Sequence, residues 1–77
     1  MDPSIPTVSV NLWRADVVVL YDWLMSVDLN SVPITHPAEK QALADLLTRI
    51  ETETDIPGVT QTQIDVARAD VARDMGW

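Results

Sequence analysis

Hydrophobic residues recur every three or four positions in three stretches of the chain, a spacing typical of amphipathic helices. The first stretch predicts a helix over about residues 12–28. Its apolar positions fall on three stripes: Trp13, Val17, Leu20, Leu24 and Val27 on one, Val18, Tyr21 and Met25 on a second, and Val19 and Trp23 on a third. This is more apolar surface than two neighbouring helices cover. We therefore expect the first helix to be central and to keep one apolar side for a partner.

The second helix is predicted over about residues 37–53. Pro37 suits the first helical position, which makes His36 or Thr35 the cap and Glu39 the third helical residue. The apolar stripe of this helix consists of Leu43, Leu46, Leu47 and Ile50.

A third helix is predicted over about residues 61–75, because Thr60 and Gln63 have the spacing of a capping box. Its apolar edge is narrow and rich in alanine; it consists of Ile64, Ala67, Val71 and Met75. Such an edge permits close helix packing but contributes little burial.

The connections between the helices carry their own signals. Asn11 is a good N-cap for the first helix, and Asn30 can end that helix in the left-handed conformation. Pro57 followed by Gly58 predicts a turn in which the glycine takes a positive φ.

Residues 1–10 read as an irregular entry followed by a short extended stretch. Val8 and Val10 alternate with Thr7 and Ser9, which is the pattern of a short strand at residues 7–10. One strand is not stable alone. It would pair with a copy of itself, pair with a partner, or lie along the helices as extended chain.

The pattern as a whole predicts an all-α fold, in which three helices and an extended N-terminal segment form one domain over residues 1–77. A domain this small buries about 60–65% of the surface that its unfolded chain exposes. Association with another chain is the usual way to add burial.

Composition narrows the possible functions. The chain has no cysteine, which excludes disulfides and thiolate metal sites, and its formal net charge is -7. Nucleic acids and anionic membranes attract basic surfaces, so neither is expected as a partner. The acidity serves solubility or attracts a basic protein. Neither a signal peptide nor a membrane span fits the sequence, so we expect a cytoplasmic protein.

Catalytic and metal-binding signals are weak. His36 is the single histidine and is best explained as a cap or turn residue. Asp70 and Asp74 share a helix face, but Arg73 lies beside them, as on a solvated surface. With only Gly58 and Gly76, there is no glycine-rich phosphate loop. We expect no enzymatic activity, no cofactor and no metal.

The aromatic residues are the best candidates for a binding surface. The chain has three tryptophans but no phenylalanine. Tryptophan, tyrosine and methionine are enriched at interface centres. The predicted interface residues are Val18, Tyr21, Trp23, Met25 and Trp77. Trp77 either seals the core or docks on a partner.

Three segments carry a resemblance: Leu12-Trp13-Arg14-Ala15-Asp16, Val19-Leu20-Tyr21-Asp22-Trp23-Leu24, and the His36-Pro37-Ala38-Glu39 start of a leucine-rich helix. Over roughly residues 8–53 the chain resembles a group of small uncharacterised bacterial proteins, seen in high-GC actinobacteria among others, with this arrangement of an extended start and helices. The resemblance implies a bacterial cytoplasmic origin and no particular activity.

Two functions are expected from these observations. The first is a protein-interaction module that binds, inhibits or adapts another protein, in the manner of an antitoxin, an immunity protein or an accessory subunit. The alternative is a self-associating structural or regulatory homodimer, formed through the second apolar side of the first helix, with no separate partner.

Overall fold

The computed structural model describes residues 5–74, and within that range the fold is all-α. Helix α1 is Arg14–Ser26, α2 is Pro37–Glu53 and α3 is Gln61–Asp74, with a 3₁₀ turn, Ile56–Gly58, between α2 and α3. The predicted fold class is confirmed. No strand forms between any of these described residues, and residues 5–12 have no regular secondary structure.

Helix α1 is the centre of the domain. Both α2 and α3 pack against it, whereas no Cα atom of α2 lies within 8 Å of one of α3. The buried core draws on all three helices and the 3₁₀ turn; it consists of Val18, Leu24, Ile50, Ile56, Ile64 and Ala67. The central place predicted for the first helix is therefore observed. Ile56, the most deeply buried residue, comes from the turn and not from a helix.

Helix α1 is shorter at both ends than the sequence predicts. Its N-cap is Trp13, not Asn11, and no side chain caps it. At the other end Val27 is already extended, so the helix stops before Asn30. Asp28 explains this ending, because its carboxylate accepts hydrogen bonds from the Asn30 amide (2.9 Å) and the Ser31 hydroxyl (3.2 Å), a local alternative to helix.

Helix α2 begins at the predicted residue with a complete capping box. The His36 Nδ1 accepts a hydrogen bond from the Ala38 amide (3.0 Å), and Glu39 Oε1 accepts one from the His36 amide (2.8 Å). The same carboxylate oxygen accepts bonds from the amide (2.7 Å) and hydroxyl (2.9 Å) of Thr35. These donors, the His36 amide first, hold the pKa of Glu39 below its ordinary value.

The connection to α3 departs from prediction in one respect. The Val59 amide donates to the Ile56 carbonyl (3.0 Å), which closes a 3₁₀ turn, and Gly58 does not take the positive φ that was predicted. The predicted capping box of α3 is present, since Thr60 and Gln63 exchange hydrogen bonds of 2.8 and 3.2 Å.

Two ion pairs join distant parts of the chain. Arg14, at the start of α1, contacts Asp55 before the 3₁₀ turn at 2.6 Å, and Arg68 of α3 contacts Asp22 of α1 at 2.5 Å. The hydrogen bond from Arg14, together with its charge, holds the pKa of Asp55 below its ordinary value. Because Arg14, Asp55 and Arg68 are largely exposed, the two pairs add little to stability.

Candidate functional site

Polar chemistry is sparse in the interior of the described chain. Residues 5–74 contain no buried polar or charged residue and no group of three or more histidine, aspartate or glutamate side chains placed to hold a metal ion. His36 is exposed at its cap position, and Asp70 pairs with Arg73 at 3.1 Å on the surface of α3. The features that remain as candidates are apolar and lie on the surface.

Two of the predicted interface residues belong to the core instead. Val18 is only 4% exposed, so the prediction that it lies in a partner interface is wrong. Tyr21 is half-buried and packs against the buried cluster. The sequence could not separate these residues from the surface ones, because all three stripes of the first helix are equally apolar, and where α2 and α3 pack decides which stripe is covered.

Trp23 and Met25 are both exposed, as expected of interface residues. They do not form one patch. Two positions apart on a helix means about 200° of rotation, so the two side chains leave opposite sides of α1. Trp23 is on the side away from Val18, together with the half-buried Leu20 one turn earlier. Trp77 is outside the described residues.

The structure adds Trp13, which the sequence pattern placed on a stripe with core residues. It occupies the N-cap position of α1 and is 57% exposed. It lines an open cleft together with Ala15 and with Asp70 and Arg73 of α3. Because N-caps favour serine, threonine, aspartate or asparagine, an exposed tryptophan here meets no local requirement of the helix.

Trp13 and Trp23 are exposed at the two ends of a surface whose middle residues, Asp16 and Leu20, are half-buried. Ten residues separate the two tryptophans, which corresponds to about 15 Å along the helix axis. We call this region, with Trp13, Asp16, Leu20 and Trp23, the α1 surface. Asp16 gives it a negative charge, and Asp70 lies beside Trp13 in the cleft.

A groove of about 380 Å³ runs between α1 and α3 next to this surface. Its walls are mainly apolar, with Ala15 and Val18 on one side and Val66 and Ala67 on the other, and Arg14 and Asp70 also line it. The groove shares Ala15 and Asp70 with the cleft at Trp13. It therefore adjoins the α1 surface only at Trp13, because Leu20 and Trp23 lie on the side of α1 away from Val18.

Many large apolar side chains of the described chain are exposed to solvent. Nine are exposed in the described chain: Ile5, Val8, Val10, Leu12, Trp13, Trp23, Met25, Leu46 and Val66. Single exposed apolar residues are ordinary. Here five of the nine lie within residues 5–13, and that concentration sets the N-terminal part of the molecule apart.

In the described chain no helix is both long enough and apolar enough to cross a membrane. The resemblance carried by the His36–Glu39 motif stays a prediction. No protein-family model, curated protein or solved structure matches this chain.

Proposed function

We propose that this protein is a small acidic interaction module that binds another protein through the α1 surface. The observation that carries the proposal is the pair of exposed tryptophans at the two ends of α1, 57% and 42% exposed. Tryptophan is the side chain most enriched among residues that dominate binding energy.

The local structure of Trp13 supports a role outside folding. Helices α2 and α3 both begin with a capping box, whereas α1 begins with a tryptophan and no capping side chain. A missing cap costs about 0.5–2 kcal/mol relative to serine or aspartate. Departures from local folding rules are expected where a residue serves function.

Charge indicates the chemistry of the partner. The chain carries -7 net, Asp16 is on the α1 surface, and Asp70 and Asp74 lie by the cleft at Trp13. A complementary partner offers an apolar groove for the tryptophans with lysine or arginine at its rim. Binding to such a partner weakens as salt concentration rises.

Affinity capture from the organism of origin, with quantification of the bound proteins, tests this proposal. We expect a stoichiometric partner on the wild-type chain that is lost with Trp23→Ala and with Trp13→Ser. Leu46→Ala is the matched control, because Leu46 is an exposed apolar residue on α2, away from the α1 surface. Circular dichroism shows whether each variant is folded.

The same variants separate the proposal from the homodimer alternative. If no partner is captured and sedimentation shows a dimer that Trp23→Ala weakens, the α1 surface serves self-association and the module proposal is wrong. A partner captured equally well by wild type and both tryptophan variants also contradicts the proposal, since it must bind elsewhere.

A further inference from the structure

The N-terminal segment has an unusual combination of composition and exposure. Residues 5–13 contain no charged side chain, although the chain as a whole carries -7. Their five large apolar side chains are all more than half exposed, with Val8 at 90% and Val10 at 70%. No backbone hydrogen bond joins residues 5–12 to another residue of the described chain. Val8 and Val10 are thus the segment's most exposed large apolar side chains, whereas Ile5 and Thr7 line a pocket with residues of α2.

The sequence of this segment is symmetric in polarity about Val10. Reading outwards in both directions, Val10 is followed by a polar residue, Ser9 or Asn11, and then by an apolar one, Val8 or Leu12. In a strand, alternate residues point to opposite faces. Val8, Val10 and Leu12 then share one face, while Ser9 and Asn11 share the other.

We propose that residues 8–12 pair with the same residues of a second copy as a two-stranded antiparallel ribbon, centred on Val10. In this register Val10 faces Val10 of the second copy, and Val8 faces Leu12. Every apolar side chain meets an apolar one, and Ser9 meets Asn11. Cross-strand pairs of this kind stabilise antiparallel strands.

Charge favours a second copy as the occupant. Two chains of net charge -7 repel where acidic surfaces meet, and residues 5–13 let them approach without placing carboxylates opposite each other. Ile5, which precedes the paired residues, adds packing that two strands alone lack.

The proposal is independent of the partner proposed above, because the ribbon uses residues 8–12 and the α1 surface begins at Trp13. It also differs from the homodimer expected from the sequence, which used the second apolar side of the first helix. If residues 8–12 do not pair, the proposed role of the α1 surface is unaffected. If no protein partner is captured, the proposed pairing of residues 8–12 is unaffected.

Disulfide trapping tests the register, because the chain has no cysteine of its own. Val10→Cys is incubated with oxidised glutathione, which takes up the electrons of the two thiols. Opposed residues of an antiparallel pair have Cα atoms about 4.5–5.5 Å apart, within the range a disulfide spans. Ser9→Cys is the matched control, since its mate lies on the diagonal at about 7–8 Å, beyond that range.

We expect Val10→Cys to give at least about tenfold more cross-linked dimer than Ser9→Cys. Mixing Val8→Cys with Leu12→Cys should also give a cross-linked pair that neither variant forms alone. Equal cross-linking of Val10→Cys and Ser9→Cys overturns the register. A wild-type chain that sediments as a monomer at several hundred micromolar overturns the ribbon itself. Each variant is at an exposed position, and circular dichroism confirms its helices.

Discussion

The starts of α1 and α2 show two different uses of the same chain. At α2 every side chain near the first turn serves the helix: His36 caps it, Pro37 opens it, and Glu39 accepts three hydrogen bonds. At α1 the cap position holds a tryptophan whose side chain bonds no amide, preceded by an exposed apolar stretch. The first arrangement is what folding alone requires. The second is not required by the helix, and the proposed binding surface accounts for it.

The two sides of α1 repeat this contrast. Val18 and Leu24 are buried between α2, α3 and the turn, whereas Trp23, next to Leu24 in sequence, is exposed. Neighbouring residues on one helix thus differ in burial, and our proposal gives Leu24 a role in stability and Trp23 a role in recognition. Mutations can separate the two roles.

The largest effect is expected from Leu24→Ala, which empties a site that is 4% exposed. We expect a loss of about 2–5 kcal/mol in the free energy of unfolding, from lost burial and the remaining cavity. Trp23→Ala should cost less than half as much, because its side chain is partly in water. Urea unfolding followed by circular dichroism measures both. Equal losses would show that Trp23 serves the fold, and the contrast between the sides of α1 would fail.

A smaller effect is expected at the start of α2. His36→Ala removes the acceptor for the Ala38 amide and should lower the free energy of unfolding by about 0.5–2 kcal/mol. His36→Asn keeps a capping acceptor and should recover most of the loss. Trp13→Ser at the start of α1 should change stability by no more than about 1 kcal/mol, since the new cap offsets the lost contacts of the indole. If Trp13→Ser lowers the free energy of unfolding more than His36→Ala does, the start of α1 serves folding more than the start of α2, which contradicts the comparison.

Gly58→Ala tests the turn that leads from α2 to α3. A Cβ on Gly58 meets no atom within 4 Å, and the residue has no positive φ. Alanine should therefore raise the free energy of unfolding by about 0.4–1 kcal/mol, through the lower entropy of the unfolded chain. A loss of stability in thermal unfolding would mean that the glycine is conformationally required, as the sequence alone suggested.

The smallest effect concerns pH. The pKa values of Glu39 and Asp55 are lowered in the folded chain, by the amides at the α2 start and by Arg14 respectively. The stability that each carboxylate contributes is present above its ordinary pKa and is lost as the pH falls through the lowered one. Glu39→Gln and Asp55→Asn should each flatten the fall in melting temperature between neutral and acid pH. Asp45→Asn is the control and should leave the pH dependence of the melting temperature unchanged. If Glu39→Gln and Asp55→Asn also leave it unchanged, these two carboxylates do not cause the loss of stability in acid.

Much of the fold was predictable because its signals are local. The bounds of α2 follow from Pro37 and its capping box, and the start of α3 follows from Thr60 and Gln63. The central place of the first helix followed from its apolar content. Where prediction failed, the local signal was not used or had a competitor: the helix starts after Trp13 without the Asn11 cap, and the Asp28 turn ends it before Asn30.

The candidate site was predictable only in kind. The sequence indicated that the first helix keeps apolar residues on its surface, and it correctly placed Trp23 and Met25 there. It could not say that Val18 is in the core or that Trp13 is exposed, because that depends on how α2, α3 and Ile56 pack around α1. Side-chain periodicity describes a helix, but the packing of its neighbours decides which side remains free.

The most direct test is the affinity of a purified partner for the Trp13→Ser and Trp23→Ala variants, measured by calorimetry beside their free energies of unfolding. If the α1 surface carries recognition, each variant binds roughly 30-fold or more weakly, the equivalent of about 2 kcal/mol, and unfolds much less readily than Leu24→Ala. Wild-type affinity in both variants would contradict the account.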